Sequence, residues 1–469
     1  MPIPPVADEL ASRFEAAGHR LYLVGGPVRD ALLGRTVVDL DFTTDARPPE
    51  VLRLLAGWAD AVWDTGIQYG TVGARRGDAI MEITTFRADA YDRVSRNPSV
   101  AFGDSIEDDL LRRDFTANAM AVALPSREFI DPYGGLAAVA RGWLDTPATP
   151  QESFGDDPLR MMRAARFVSQ LGFTPSPRVV DAMRAMAAEL ARITPERVQA
   201  ELSKLLLGSY PRRGIELLVD TGLADHVLPE VPAMRLEIDE HHQHKDVYHH
   251  SLVVLDQAIA LESPGEPDLV LRLAALLHDI GKPATRRFEP AGGVSFHHHE
   301  VVGAKMARAR LRALRYPREV VDDVARLVFL HLRFHGYGRG EWTDSAVRRY
   351  VTDAGDLLPR LHKLVRADCT TRNRRKADAL QRTYSSLEAR IARLQAEEDL
   401  ARVRPDLDGN AIMALLGLQP GPLVGQAWRH LKELRLDRGP LSHDEAEAEL
   451  LGWARAKGLP PPGPPTPPE

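Results

Sequence analysis

Only one cysteine, Cys369, is present in 469 residues, which excludes an intramolecular disulfide and any zinc site built from several thiolates. A metal in this chain has to be held by histidine and carboxylate. No apolar run of about eighteen residues occurs, and the opening Met-Pro-Ile-Pro-Pro-Val-Ala-Asp lacks the basic and apolar regions of a secretion signal. The expectation is a cytoplasmic protein with no membrane span. An excess of positive charge is also missing: 60 Lys and Arg against 66 Asp and Glu leave a formal charge of −6, which argues against indiscriminate binding to nucleic acid. That average hides local stripes such as Arg372, Arg374, Arg375 and Lys376, so it does not decide the partner. A fixed-period repeat is absent as well.

What is present is enough apolar residue, 44%, beside 27% charged, for a soluble globular protein, and a length that suggests roughly three domains. Up to about Asp145, short β-like runs (Leu21 to Val24, Val37 to Phe42, Gly70 to Ala74, Ile80 to Thr84, Ala119 to Leu124) alternate with helical stretches, which predicts a small α/β domain. After Glu152 and as far as about Leu450 the apolar spacing is helical, punctuated by Pro195, Pro211, Pro229, Pro264, Pro283 and Pro317. Ala377 to Leu400 reads as a charged amphipathic helix, Gly409 to Gly425 as helix, turn and helix, and Gly458 to Glu469 as a proline-rich disordered tail.

Within the first domain, Leu-Val-Gly-Gly-Pro-Val-Arg-Asp (Leu23 to Asp30) precedes Asp39-Leu-Asp41-Phe. A strand's period of two puts both aspartates on one face, where two carboxylates aimed at one point can hold Mg²⁺ together with a triphosphate. Gly25 and Gly26, before an apparent short helix from Val28 to Leu33, offer bare amides to phosphate oxygens, and Arg29 adds a charged donor. Alone, such an Asp-x-Asp is more often a pair of solvated carboxylates, and a Gly-Gly more often a turn. In this order they point to nucleotidyl transfer. Glu82, in Met-Glu-Ile-Thr-Thr-Phe-Arg, is a candidate third carboxylate, with an outward-facing strand residue as an equal reading. Arg87 opens a polar stretch to Asp109 that could fold over a nucleotide or serve as a plain loop.

Two further clusters follow. Arg112, Arg113, Asp114 and Asn118 supply donors and acceptors for phosphate and ribose, although the pattern alone fits a salt-bridged helix start. Asp156-Asp157-Pro-Leu-Arg160-Met-Met-Arg163-Ala-Ala-Arg166-Phe predicts a helix start with acids in its first turn, so that Asp157 and Arg160 share one face. Cytosine and adenine both present an exocyclic amine beside a ring acceptor, so a carboxylate and a guanidinium placed together suit both and oppose guanine and uracil. An isolated Asp-x-x-Arg is by default a helix salt bridge.

These blocks, with Pro195-Glu196-Arg197-Val-Gln-Ala-Glu201-Leu-Ser-Lys204-Leu-Leu and the late Gly409-Asn-Ala-Ile-Met-Ala-Leu-Leu-Gly-Leu-Gln-Pro-Gly-Pro, resemble the successive motifs of class II CCA-adding enzymes, the tRNA nucleotidyltransferases. The resemblance implies an α/β nucleotidyltransferase head, a small mixed sheet with helices, followed by an elongated all-α neck, body and tail in a seahorse-like arrangement. It implies a head over 1–145, a base-selecting, RNA-binding neck over 146–215, an HD-type body over 216–376, a tRNA-binding tail over 377–455 and the disordered end over 456–469. It also implies untemplated addition of C, C and A to tRNA from CTP and ATP, with Mg²⁺ on Asp39 and Asp41. Gly25, Gly26, Arg29, Arg113, Asp114, Asn118, Asp157, Arg160, Arg163 and Arg166 would bind nucleotide. The family's base-reading motif commonly begins Glu-Asp, whereas this chain has Asp156-Asp157. Three rivals stay open: a poly(A) polymerase, an enzyme adding only CC or only A, and a phosphohydrolase whose head merely binds RNA.

The body carries a second pattern. Tyr-His-His250-Ser, Leu-Leu-His278-Asp279-Ile-Gly-Lys-Pro, His-His-His299-Glu and Arg-Ala-Asp368-Cys resemble the H…HD…D order of HD-domain metal phosphohydrolases. Histidine and carboxylate donors suit a divalent transition metal. His331 and His335 are possible extra ligands. The resemblance implies that some such domains hydrolyse 2′,3′-cyclic phosphates and phosphomonoesters at RNA ends.

Overall fold

The computed structural model describes residues 3–36, 39–88, 101–236, 246–290, 293–336, 342–369, 374–397 and 404–459. The basic position Arg372, all but the first residues of the expected proline-rich tail and most of the polar stretch after Arg87 lie outside them. The chain forms two compact units, Met1–Pro232 with Ala313–Arg315, and Ala233–Arg312 with Tyr316–Glu469.

In the first unit, β1 (Leu21–Val24), β2 (Asp39–Thr44), β3 (Ala61–Trp63), β4 (Thr71–Arg76) and β5 (Ala79–Thr85) join the strands Ala121–Leu124 and Phe129–Ile130 in one seven-stranded sheet. The order is β3-β4-β5-β2-β1, then Ala121–Leu124 and Phe129–Ile130. β2 and β5 run parallel and the other neighbours antiparallel, so the sheet is mixed. Alternation sorts the side chains: Leu40, Phe42, Met81 and Ile83 are buried, each burial contributing about 1.5–3 kcal/mol, while Asp39 and Glu82 are exposed. Helices Pro5–Ala16 and Pro48–Leu55 lie on the sheet and bury Leu10, Phe14, Val51 and Leu55. β3 and Phe129–Ile130 were not expected from the sequence. They are two or three residues long, too short for an alternation to register.

Apart from the two-residue strand pairs Arg87–Ala88 with Ala101–Phe102 and Trp143–Leu144 with Thr174–Pro175, the rest of this unit is largely helical. Helix Leu159–Leu171 packs against Pro195–Leu206 and Pro211–Asp220, and buries Met161, Met162, Ala165 and Val168. One sequence expectation is corrected here. Asp156 and Asp157 do not open this helix: Asp156 ends the preceding helix Pro150–Asp156, and Asp157 is extended at φ −140° and ψ 100°. Pro158 is the reason, since its ring disfavours helical backbone at the residue before it. Asp157 and Arg160 therefore do not share a helical face.

The second unit is helical as expected, from Val247–Ala260 through Leu269–Leu277, His299–Ala313, Arg318–Leu330 and Leu358–Ala367 to Arg374–Glu397 and three terminal helices. A two-residue antiparallel pair, Arg287–Phe288 with Val294–Ser295, interrupts it. The terminal helices Gly409–Leu416, Pro422–Arg438 and His443–Ala456 close on their own core of Ile412, Ala427, Leu431, Ala446 and Leu450. No helix among the described residues is long and apolar enough to cross a membrane.

A polar chain ties the sheet of the first unit to helix Leu159–Leu171. Arg29 holds Asp30 through two contacts of 2.9 Å and donates to Asn118 Oδ1 at 2.6 Å. Asn118 Nδ2 donates to Asp114 Oδ1 at 2.9 Å, and Arg163 Nε donates to Asp114 Oδ2 at 2.7 Å. Arg166 Nε then faces Glu201 Oε2 at 3.2 Å. Burial pushes the Asp114 carboxyl up, but Arg163 and Asn118 outweigh it and hold the group well below the usual carboxylate range. The pair's contribution is thus present above the unfolded carboxylate value near ~4 and is lost only on acidification far below it. Asp114→Ala should cost about 3 kcal/mol in urea unfolding, the lower end for a broken buried pair because Arg163 keeps 32% of its side chain exposed. A loss under about 1 kcal/mol would show that Asp114 is not the joint.

Candidate active site

The parallel register of β2 and β5 sets Asp41 directly opposite Glu82 and Asp39 opposite Ile80. Three carboxylates consequently crowd one open end of the sheet face. The Asp41 carboxyl is pushed up to about 6, by burial first and then by Glu82 and Asp39, with Arg113 and Arg29 opposing. A carboxylate made costly to ionise by neighbouring carboxylates is relieved by a cation, and an oxygen-only donor set suits a hard one. The residues present fit a divalent metal.

Gly25 brings the glycine turn to this point. It adopts φ 73° and ψ −131° before helix Gly26–Leu32, and a Cβ there would stand 2.9 Å from Arg113 Nη1 and 3.9 Å from Asp41 Oδ2. The positive backbone angle favours glycine, and a side chain there would have to displace the Arg113 guanidinium. Arg113 is itself held by Asp109 at 3.2 Å, which aims its guanidinium between the turn and Asp41.

An open pocket of about 450 Å³ lies at Asp41, and Gly25, Arg113 and Glu82 do not line it. Asp39, Asp41 and Thr36 line one side, and Gly26, Arg29 and Asn118 continue it. Arg163, Arg166, Phe167, Gln170 and Lys204, from helices Leu159–Leu171 and Pro195–Leu206, line it as well. Carboxylates and cations lining one pocket are the charge layout that a metal-bound polyphosphate requires. Burial and the neighbouring Arg163 lower the Arg166 guanidinium to about 10, and Glu201 opposes them.

Other predicted residues take different places. Asp114 and Asn118 spend their polar atoms on the chain of contacts already described, so Asp114 fixes Arg163 rather than facing the pocket. Asp157 accepts from Arg197 Nη2 at 2.7 Å, and Arg160 donates to Ser153 Oγ at 2.9 Å and to the Arg112 carbonyl at 2.6 Å. Neither Asp157 nor Arg160 lines the pocket. Arg87, in the two-residue strand Arg87–Ala88 after β5, donates to Thr71 Oγ1 at 3.1 Å. Thr36, Phe167 and Gln170 were not singled out from the sequence, and Lys204 was quoted without a role. Lys204 and Gln170 had a usable signal, because each follows a buried charged residue, Glu201 or Arg166, by one helical turn.

In the second unit, six predicted side chains meet at helix ends. His250 comes from Val247–Ala260, His278 caps Leu269–Leu277 with Asp279 next to it, His299 opens His299–Ala313, His331 caps Arg318–Leu330 and Asp368 caps Leu358–Ala367. Gly281 permits the approach, since a Cβ there would lie 2.2 Å from the His299 carbonyl oxygen. His250 Nε2 is 2.9 Å from Asp368 Oδ1 and His278 Nε2 is 3.2 Å from Asp279 Oδ2. Burial pushes Asp279 up, but His278 and its hydrogen bond outweigh it and hold the carboxyl well below its ordinary value. Burial and then His278 push the His331 imidazole down to about 3, so it is a neutral nitrogen donor. The set fits a divalent metal. The side chain of His335 lies outside the described residues.

Known proteins share this layout. The poly A polymerase head domain matches residues 21–145, the probable RNA and SrmB-binding site of polymerase A matches 172–234, and the HD domain matches 247–394. Nucleotidyltransferases and HD domains generally use divalent metals. The A-adding tRNA nucleotidyltransferase of Deinococcus radiodurans is 36% identical over 92% of this chain and 95% of its own length. The CC-adding tRNA nucleotidyltransferase of Thermus thermophilus is 34% identical over 93% and 95%. The crystal structure of the Bacillus stearothermophilus CCA-adding enzyme in complex with CTP matches with a TM-score of 0.68 at 27% identity, covering 97% of this chain and 99% of that one. Paired carboxylates, a cationic pocket wall and likeness along the full length lead to one conclusion: this chain is an enzyme of the tRNA nucleotidyltransferase family.

Proposed function

We propose that the protein adds C, C and A without a template to the 3′ end of tRNA, using CTP and ATP and acting in the cytoplasm. The observation that most supports this is the meeting of Asp41 with Glu82 and of Asp39 on the same sheet face, with Asp39 and Asp41 lining one pocket together with Arg163, Arg166 and Lys204. The tRNA 3′ oxygen attacks the α-phosphorus, the bond from the α-phosphorus to the bridging oxygen breaks, and pyrophosphate leaves. Mg²⁺ on Asp39 and Asp41 would supply activation of the hydroxyl and neutralisation of the leaving oxygens. Gly25, Gly26, Arg29 and Arg113 hold the triphosphate, and Asp114 and Asn118 keep Arg163 and Arg29 in place. Asp157, Arg160 and Arg163 read the base. Asp157 and Arg160 are already engaged by protein groups, so base reading shares or exchanges those contacts. The division into head, neck, body and tail assigns tRNA contacts to the helical parts, through phosphates and shape. In the body, the His and Asp cluster holds a divalent transition metal and supports hydrolysis of phosphoesters at RNA ends.

A second reading is addition of CC alone or A alone, favoured by the two full-length relatives, which are named for those activities. Product lengths decide. Offered tRNA lacking its CCA end, CTP and ATP together, the protein should extend by three nucleotides, and by two with CTP alone. Extension by two with both nucleotides, or none until CC is present, would establish the partial activities, and a long A tract would mean poly(A) synthesis. Asp39→Ala should lower every extension on the order of a thousandfold, and undiminished extension would remove Asp39 from the mechanism.

Base selection has its own test. Each matched contact to a base edge is worth about 1–3 kcal/mol, so Asp157→Ala with Arg160→Ala should lower the preference for CTP and ATP over GTP and UTP about tenfold or more. Competition between labelled nucleotides at equal concentration measures it. An unchanged preference contradicts the assignment.

A further inference from the structure

The open face of the sheet continues past the carboxylates to its edge strand. Register sets Trp63 of β3 beside Gly73 of β4, Gly73 beside Glu82 of β5 and Glu82 beside Asp41 of β2, so these residues form one row on the same face. The adjacent row holds Asp39, Ile80 and Arg75. Val72, Ala74, Met81 and Ile83, between these positions, point the other way and are buried, whereas Trp63, Arg75, Ile80 and Glu82 are exposed. The indole explains the glycine at position 73, because a Cβ there would lie 1.9 Å from Trp63 Nε1 and 2.1 Å from its Cε2. The ring thus lies across β4 in the direction of Glu82, where a side chain of β4 would otherwise stand, and it keeps 37% of the residue's surface open.

This part of the face is separate from the pocket described above. The pocket is lined from β2, the helix after β1, Asn118 and the helices Leu159–Leu171 and Pro195–Leu206, and by no residue of β3, β4 or β5. In the sheet order those three strands lie on one side of β2 and β1 lies on the other. With the triphosphate in the pocket, an in-line displacement at Asp39 and Asp41 brings the attacking oxygen from the side away from the leaving pyrophosphate. That side is β5, β4 and β3. Gly73 and Asp41 are two strand spacings apart, about 10 Å, a gap that the sugar and base of one nucleoside can span.

We propose that Trp63 is a positioning residue for the RNA, on which the base of the 3′-terminal nucleotide stacks while its 3′ hydroxyl meets Asp39 and Asp41. The inference rests on the proposed extension of tRNA and adds where the end of that tRNA is held. Stacking suits this task because every base has a π-face, so one indole accepts whichever base ends the chain. Untemplated addition changes the terminal base at each step, and a contact that read its edge would have to be remade each time. Ile80 and Arg75, in the row beside it, offer an apolar surface to the ribose and a cation to a phosphate.

Steady-state extension by the full-length protein tests this with a tRNA whose 3′ end it accepts, beside the same tRNA made abasic at that terminal nucleotide. The KM of the unmodified protein for tRNA should rise about tenfold or more when the terminal base is missing. Trp63→Ala and Trp63→Leu should raise the KM for intact tRNA by a similar factor, leave the KM for the nucleotide unchanged and no longer distinguish the abasic end. Trp63→Phe, which keeps a flat ring, should retain most of the discrimination. Equal KM values for the two tRNAs in the unmodified protein overturn the inference even if a variant fails to fold, and so does undiminished discrimination in Trp63→Leu. Absence of extension on every tRNA would instead overturn the function on which the inference rests.

Discussion

Negative charge concentrated on one end of a sheet face is the constraint around which the first unit is organised. β2 and β5 must run parallel and in register for Asp41 to meet Glu82, and the apolar alternates Leu40, Phe42, Met81 and Ile83 must be buried for that face to stay open. A slip of one residue would turn the carboxylates into the core, which burial of unpaired charge forbids. The arrangement is electrostatically uncomfortable without a counter-ion, as the raised Asp41 carboxyl shows. Cations of helices Leu159–Leu171 and Pro195–Leu206 line the same pocket. Those cations are themselves costly to bury, so Asp114 and Glu201 hold Arg163 and Arg166 from behind. Substrate charge and protein charge thus alternate from β2 to helix Pro195–Leu206.

The histidine cluster solves a related problem by different means. Instead of a strand's alternation it uses helix termini, where the chain turns and a side chain can project into a gap between helices. Backbone carbonyls at Ala275, Phe296 and Val328 fix the ring orientation of His278, His299 and His331. Such outer contacts determine which nitrogen faces inward, and so prepare the donors before any ion arrives. The head offers only oxygen and the cluster mostly nitrogen, which directs different metals to the two places in one chain.

Asp39 and Asp41 were legible because a period of two survives in a six-residue strand, and the glycine turn because Gly25 and Gly26 interrupt an apolar run. The histidine set was legible from residue type and order. Asp157 was misplaced because a helical spacing was read through Pro158, whose effect on the residue before it outweighs the pattern. Two-residue strands such as Trp143–Leu144 and Thr174–Pro175 carry no period at all. The bond from Asp114 to Arg163 joins residues 49 apart in the chain, and nothing local announces it. Long-range polar partners, unlike faces, are set by packing that a single sequence does not display.

On the proposed mechanism Asp39 and Asp41 grip divalent ions against a bound triphosphate. A crystal structure with CTP and Mg²⁺ tests it most directly. Oxygens of both aspartates are expected about 2.1 Å from magnesium, with the phosphates between them and the Gly25 turn. Both carboxylates turned to solvent, with the triphosphate bound elsewhere, would contradict it.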